Sequence, residues 1–249
     1  MIQTTDGVIL RSGTFRETSQ LLTFLTQDFG KIHTLAKGVR RLPKRFASTF
    51  ELFTCNRIVF YERRLSGLQL LSQCDLIDSY ASIRSDLQKT ACAVYFLELV
   101  DRATELGDPS HSLYALLLSA LKTLSVRKTA SDVLRLFEVK LLVLSGLFPE
   151  IFCCQQCRQK VAYSCSLSLH KGGILCRRCE KGEKDCLPLS RGTLESLRHM
   201  AASPWPFASR LRILQKGRKE VETVLTHCID FYLDEKIYSR DFLKGVGVL

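Results

Sequence analysis

Leu21-Leu22-Thr23-Phe24-Leu25-Thr26-Gln27-Asp28-Phe29-Gly30-Lys31-Ile32-His33-Thr34-Leu35-Ala36 is the stretch on which the reading of the fold turns. Two short β-rich runs, Leu21 to Thr26 and Lys31 to Ala36, flank Gln27-Asp28-Phe29-Gly30, which reads as a hairpin connection with Gly30 available for a positive φ. Further β-rich runs lie outward at Val8-Ile9-Leu10, Asn56 to Tyr61 and Leu68 to Leu71. Five such strands between Gly7 and about Tyr80 suit a small closed barrel.

Beyond Asp78 the texture changes to long apolar segments without Gly or Pro. Leu87 to Ala103 is apolar nearly all round, the pattern of a buried helix. A second helix is expected from His111 to Leu124, after the breaker Gly107-Asp108-Pro109. A third runs from about Ala130 to Ser145, stops at Gly146 with Pro149 beyond, and opens on Thr129-Ala130-Ser131-Asp132, which matches a capping box. Near the end of the chain Val221, Val224, Leu225, Cys228 and Tyr232 fall on one helical face. The expected architecture is therefore multidomain α+β: a five-stranded barrel domain over residues 1–80, then a helical domain over 81–249 with a metal module embedded at 150–187.

That module is marked by seven cysteines between Phe152 and Cys186, where neither the helical nor the strand period holds. Cys154-Gln155-Gln156-Cys157 and Cys176-Arg177-Arg178-Cys179, with 18 residues between Cys157 and Cys176, have the spacing of a zinc knuckle pair. A two-residue gap lets paired thiolates on a tight turn point at one ion, and Gly172-Gly173 supplies the bend that returns the second pair. The expectation is one structural Zn²⁺ held by Cys154, Cys157, Cys176 and Cys179, with Cys153 as an alternative to Cys154. Four thiolates on a divalent ion leave a formal −2 charge, which Arg158, Lys160, Lys171, Arg177 and Arg178 are placed to offset. Cys55, Cys74, Cys92 and Cys228 lie singly in apolar or mixed segments and read as small hydrophobes.

An excess of 36 Lys and Arg over 25 Asp and Glu gives a net charge of +11, a field that attracts phosphate polymers or anionic surfaces. Its densest part is Lys37-Gly38-Val39-Arg40-Arg41-Leu42-Pro43-Lys44-Arg45, with five cations and no acid in nine residues. Over Lys31 to Arg64, nine cations face only Glu51 and Glu62. Small barrels of this kind bind single strands in a groove, with cations on phosphates and aromatic rings on bases. Lys37, Arg40, Arg41, Lys44, Arg45, Arg63 and Arg64 are the nucleic-acid-binding candidates; Phe46, Phe50, Phe53, Phe60 and Tyr61 interleave with them and read mostly as core. Membrane insertion is not expected, because the most apolar stretch, Ala91 to Leu97, stops at Glu98. The start Met1-Ile2-Gln3-Thr4-Thr5-Asp6 lacks a signal peptide, so a cytoplasmic location is expected.

The order of these features resembles the RecO family of recombination mediators. The resemblance is carried by Asp6-Gly7-Val8-Ile9-Leu10, Phe15-Arg16-Glu17-Thr18-Ser19, Phe29-Gly30-Lys31, Ala36-Lys37-Gly38-Val39-Arg40-Arg41 and Lys44-Arg45-Phe46. It continues through Tyr95-Phe96-Leu97-Glu98-Leu99-Val100, Gly146-Leu147-Phe148-Pro149, Gly172-Gly173-Ile174-Leu175-Cys176 and Ser239-Arg240-Asp241-Phe242-Leu243, with the two cysteine pairs pointing to the zinc-bearing branch. The resemblance implies an oligonucleotide-binding (OB) fold at the N-terminus and no bond chemistry. It also implies DNA repair through recombination in a bacterial nucleoid: binding of single- and double-stranded DNA, annealing of complementary strands, and, with RecR, help for RecA in replacing single-stranded-DNA-binding protein (SSB). Contact with the C-terminal tail of SSB and a functional link to RecF belong to the same implication.

Two other readings are distinguishable. An RNA-binding or transcription-associated zinc protein would share the barrel but prefer structured RNA. A zinc hydrolase would need an open metal position and a base, whereas a full four-cysteine set leaves none, and His33, His111, His170, His199 and His227 are scattered. The chain is therefore expected not to be an enzyme.

Overall fold

A computed structural model describes residues 1–39, 50–63, 67–161, 165–233 and 236–249. The chain divides into two compact units, one made of residues 1–128 with 237–248, the other of residues 129–236.

The first unit begins with a closed barrel of β1 (Ile2–Phe15), β2 (Ser19–Thr26), β3 (Gly30–Ala36), β4 (Cys55–Tyr61) and β5 (Leu68–Asp78), in the order β1-β2-β3-β5-β4. All neighbours are antiparallel except β3 and β5, which pair in parallel from His33 opposite Leu68 to Ala36 opposite Leu71. This five-stranded closure is the OB arrangement. Strand β1 is much longer than the Val8-Ile9-Leu10 run suggests. Its first half pairs with β4 and its second with β2, with an irregularity between Ile9 and Arg11 where the strand turns from one to the other. Polar Thr4, Asp6, Arg11 and Ser12 belong to the same strand, so apolar content alone understates it. Ile9, Leu22, Phe24, Ile32, Ile58, Phe60 and Leu71 fill the barrel. Gly30 adopts φ +63°, as the hairpin reading anticipates, and a Cβ there would lie 2.2 Å from the Asp108 carbonyl oxygen.

Helices α1 (Ala81–Arg84), α2 (Leu87–Ala103) and α3 (His111–Val126) follow in the same unit, joined there by α8 (Ser239–Gly245). The bounds of α2 coincide with the sequence reading, and the Asp86 side chain caps it by accepting from the Gln88 and Lys89 N–H groups at 3.0 and 3.1 Å. Glu98 of α2 fastens α8: its carboxylate accepts from the Tyr238 and Ser239 N–H groups at 3.0 and 2.8 Å.

In the second unit α4 (Ala130–Leu144) packs with α5 (Arg191–Ala202) and α7 (Gln215–Leu233), while β6 (Cys165–Ser168), β7 (Gly173–Cys176) and β8 (Leu187–Leu189) form a sheet in the order β7-β6-β8. The short helix α6 (Trp205–Ala208) lies between α5 and α7. Val221, Val224, Leu225 and Cys228 of α7 are buried, as their spacing requires. One local expectation fails: Thr129 precedes α4 but its side chain makes no capping bond. Asp132, the presumed reciprocal partner, instead lies 3.6 Å from Arg212 and 3.5 Å from Arg218, where two cations attract the carboxylate more strongly than one backbone N–H dipole.

Candidate metal centre and nucleic-acid interface

Strand β7 brings the cysteine pairs together. The segment from Glu150 to Gln155 runs beside it: Ile174 N–H donates to the Glu150 carbonyl at 2.9 Å, and Gln155 N–H donates to the Ile174 carbonyl at 2.9 Å. A Cβ at Gly173 would lie 2.4 Å from the Glu150 carbonyl oxygen, so this approach requires glycine. Gly172, at φ +70°, turns the chain into β7. Since β7 ends on Cys176, anchoring the first pair to Ile174 sets it against the second.

The Sγ atoms of Cys154, Cys157, Cys176 and Cys179 all lie within 4.8 Å of one another, the only such group of metal-ligating side chains among the described residues. Each pair sits on a tight turn. Arg158 N–H donates to the Cys154 carbonyl at 2.9 Å, with Arg158 itself left-handed, and Cys179 N–H donates to the Cys176 carbonyl at 2.9 Å. Cys154 is buried and Cys157 exposed. Burial raises the Cys154 thiol, but backbone N–H groups of Cys157, Cys176 and Gln156 directed at its sulfur bring it down to about 6. Cys176 is likewise lowered, chiefly by the Cys179 N–H. Cys179 is pushed up to about 12, first by its bond with the Cys176 sulfur, because the last thiol of a crowded set cannot ionise beside the others. A divalent cation removes that repulsion. The donor set thus fits a closed, four-coordinate, thiophilic metal site in which Cys154 and Cys176 give up their protons more readily than free thiols.

The remaining cysteines stay outside this group. Cys153 faces Lys160 across a bridge, Cys165 is buried in β6, and Cys186 lies near the Lys184 carbonyl. Cys55, Cys74, Cys92 and Cys228 are buried as small hydrophobes. Of the cations near the pairs, Lys171 is engaged by Glu183 at 3.0 Å, and Arg177 and Arg178 are exposed. The sequence reading missed Arg198. From α5 it donates to the Ile151 carbonyl at 2.9 Å and the Val161 carbonyl at 3.0 Å, clamping both ends of the first cysteine turn. Its distance from the cysteines along the chain left no signal to find it by.

None of the histidines joins the sulfur group. His33 pairs with the Thr23 hydroxyl at 2.9 Å, His170 packs edge-on against Phe231, and His227 contacts the Thr223 carbonyl at 2.7 Å. His111 lies 3.8 Å from Asp28, and His199 lies 3.3 Å from the Ser203 hydroxyl.

On the barrel, the candidate cations begin where β3 ends. Lys37 is exposed directly after Ala36 and Arg63 is exposed after β4; neither forms an ion pair among the described residues. Arg40, Arg41, Lys44, Arg45, Phe46 and Arg64 lie outside the described residues. Phe50, Phe53 and Phe60 are buried, in line with their core reading, while Tyr61 is 43% exposed. Between β1, β2, β3 and the start of β5 the outer barrel surface forms a cleft lined by Arg11, Leu21, Thr23, His33, Gly67 and Leu68, with Leu21 40% exposed. No helix among the described residues is long and apolar enough to cross a membrane.

Family comparison covers nearly the whole chain. Residues 1–80 match the family described as recombination protein O N terminal, and residues 84–241 match recombination protein O C terminal. Proteins named DNA repair protein RecO are similar over their length. The one from Syntrophus aciditrophicus is 32% identical over 248 residues, covering 97% of this chain and 95% of that protein. Its counterpart from Moorella thermoacetica is 30% identical over 244 residues, covering 97% and 90%. That of Shouchella clausii is 27% identical over 244 residues, covering 98% and 94%. With both halves matched in order, and with the barrel and the helical unit that carries the cysteine module in place, the chain belongs to the recombination protein O (RecO) family.

Proposed function

We propose that this protein is a DNA-binding recombination mediator of bacterial DNA repair, acting by binding and annealing rather than by bond chemistry. The observation that carries this reading is a closed OB barrel whose β3–β4 connection carries the densest cationic run of the chain, in a sequence matching the RecO family from end to end. Complementary strands repel one another. A cationic surface that screens both raises their encounter rate without reading sequence. Lys37, Arg40, Arg41, Lys44, Arg45, Arg63 and Arg64 supply that surface, and the cleft beside Leu21 and His33 offers apolar area for bases. Cys154, Cys157, Cys176 and Cys179 hold one Zn²⁺, whose role is to brace the module. A closed four-sulfur site has no position for substrate, which supports a non-enzymatic role. On the family reading the partners are single- and double-stranded DNA, RecR and the C-terminal tail of SSB, with RecA loading as the outcome and RecF functionally linked, in the cytoplasm.

The test is oligonucleotide binding and annealing by the intact protein and by a variant with Lys37, Arg40, Arg41, Lys44 and Arg45 changed to Ala. Five phosphate contacts predict a log-log salt slope of about −3.5, of which the variant loses most, and annealing falls with it. A folded variant that anneals as well as the parent rules out this surface. Preference for structured RNA over single-stranded DNA at fixed salt would favour the transcription-associated alternative.

A further inference from the structure

The second unit holds a stretch that mirrors the barrel's cationic run. From Ser196 to Lys219 the chain contains no Asp or Glu, and its last ten residues carry Arg210, Arg212, Lys216, Arg218 and Lys219. The acids that follow are engaged elsewhere. Glu220 accepts from the Thr193 hydroxyl at 2.9 Å at the start of α5, and Glu222 lies 3.4 Å from the buried Arg135. Around Arg210, Arg212, Arg218 and Lys219, only Asp132 forms an ion pair among the described residues, and its side chain, 10% exposed, contacts both Arg212 and Arg218. One carboxylate thus holds two guanidinium groups close together, leaving a net positive charge, with the Arg212 side chain 61% and the Arg218 side chain 43% exposed. Arg218 is further fixed by donating from Nε to the Ile213 carbonyl at 3.2 Å.

Apolar groups accompany the charge. Phe207 is 61% exposed with the Arg210 guanidinium 5.9 Å from its ring centroid, and Leu214 is 81% exposed. A solvated charged loop has no reason to present a phenyl ring and a leucine beside exposed cations. A surface that meets phosphates and bases together has both reasons, since an aromatic face stacks any base and a guanidinium meets backbone oxygens.

We propose that Phe207, Arg210, Arg212, Arg218 and Lys219 form a second contact site for single-stranded nucleic acid, separate in sequence from the barrel's, so that one protein holds two strands. This rests on the annealing function proposed above and deepens it: two cationic segments on different compact units let complementary strands be screened by different surfaces instead of competing for one.

Fluorescence anisotropy with a labelled oligothymidylate across a salt series, followed by annealing of complementary oligonucleotides, tests the site on the full-length protein. Arg210→Gln with Arg212→Gln and Lys219→Gln should make the log-log salt slope shallower by about 2, at about 0.7 per phosphate contact, and should slow annealing about tenfold. Phe207→Ala should weaken single-strand binding at least about fivefold, the loss expected for one stacked base, with little effect on duplex binding. Circular dichroism checks the fold of each variant; should the triple variant not fold, Phe207→Ala carries the test alone. Unchanged slope and annealing in the triple variant, or unchanged single-strand affinity in Phe207→Ala, while the five-alanine barrel variant is impaired, would overturn the second site and leave the barrel reading intact. Absence of single-strand binding by the parent protein would overturn both.

Discussion

The OB barrel and the cysteine module achieve order by different means. In the barrel five strands close on one another around Ile9, Phe24, Ile58 and Phe60, so hydrogen bonds and apolar burial reinforce each other without an edge. The module has three strands of three or four residues, and sulfurs stand where a larger core would lie. Isolated sheets of that size are marginal in water, so the module leans on the Arg198 clamp and on the four sulfurs that fit a metal. The same contrast separates what is legible locally from what is not. Most barrel strands announce themselves in their own residues, whereas a sulfur site is written in two places that must meet.

The sharpest way to break this comparison is to remove the metal. If the four sulfurs hold zinc as proposed, chelation or Cys176→Ser should release about one equivalent of it and cost the module stability on the order of 10 kcal/mol, the scale of small zinc folds. Amide exchange over Cys165 to Cys176 should then lose protection while the barrel strands keep theirs. A module that stays protected without metal would show that its sheet and Arg198 suffice.

The barrel has its own single point of failure at Gly30. Gly30→Ala imposes a left-handed alanine and a collision with the Asp108 carbonyl, and should cost about 2–4 kcal/mol in denaturant unfolding. Gly13→Ala in β1, where a Cβ meets nothing within 4 Å, is the control and should be close to neutral. Equal losses at both positions would mean that the close approach to Asp108 carries no weight.

The smallest expected effect is a pH dependence confined to the barrel. His33 is held below its ordinary value of 6.5, first by burial and then by Lys31, against the pull of Asp101. The fold therefore favours neutral imidazole, and as pH falls below about 6.5 the unfolded chain takes up the proton more readily, so stability declines on the acid side and is flat above it. His33→Gln should flatten this part of the stability profile. An unchanged profile in that variant would assign the acid sensitivity to other groups.

Several elements could be read from sequence because their causes are local. The apolar run Leu87 to Ala103 is α2 end for end, Gly30 takes the backbone angle its turn demands, and the two-residue gaps mark the cysteine pairs. Other features have non-local causes. Strand β1 owes its length to partners on both sides, Asp132 abandons its own helix start for Arg212 and Arg218, and Arg198 reaches the module from α5.

What the amino-acid order alone determined is the menu: strand and helix periods, turn glycines, metal-ligand spacing and the sign of the charge on each segment. Only the tertiary structure decided which sulfur joins the cluster beside Cys157 and which carboxylate holds which arginine. It also decided that Phe207 and Leu214 stand in solvent beside the cations. Such choices depend on distances between residues far apart in the chain, which periodicity and propensity do not encode.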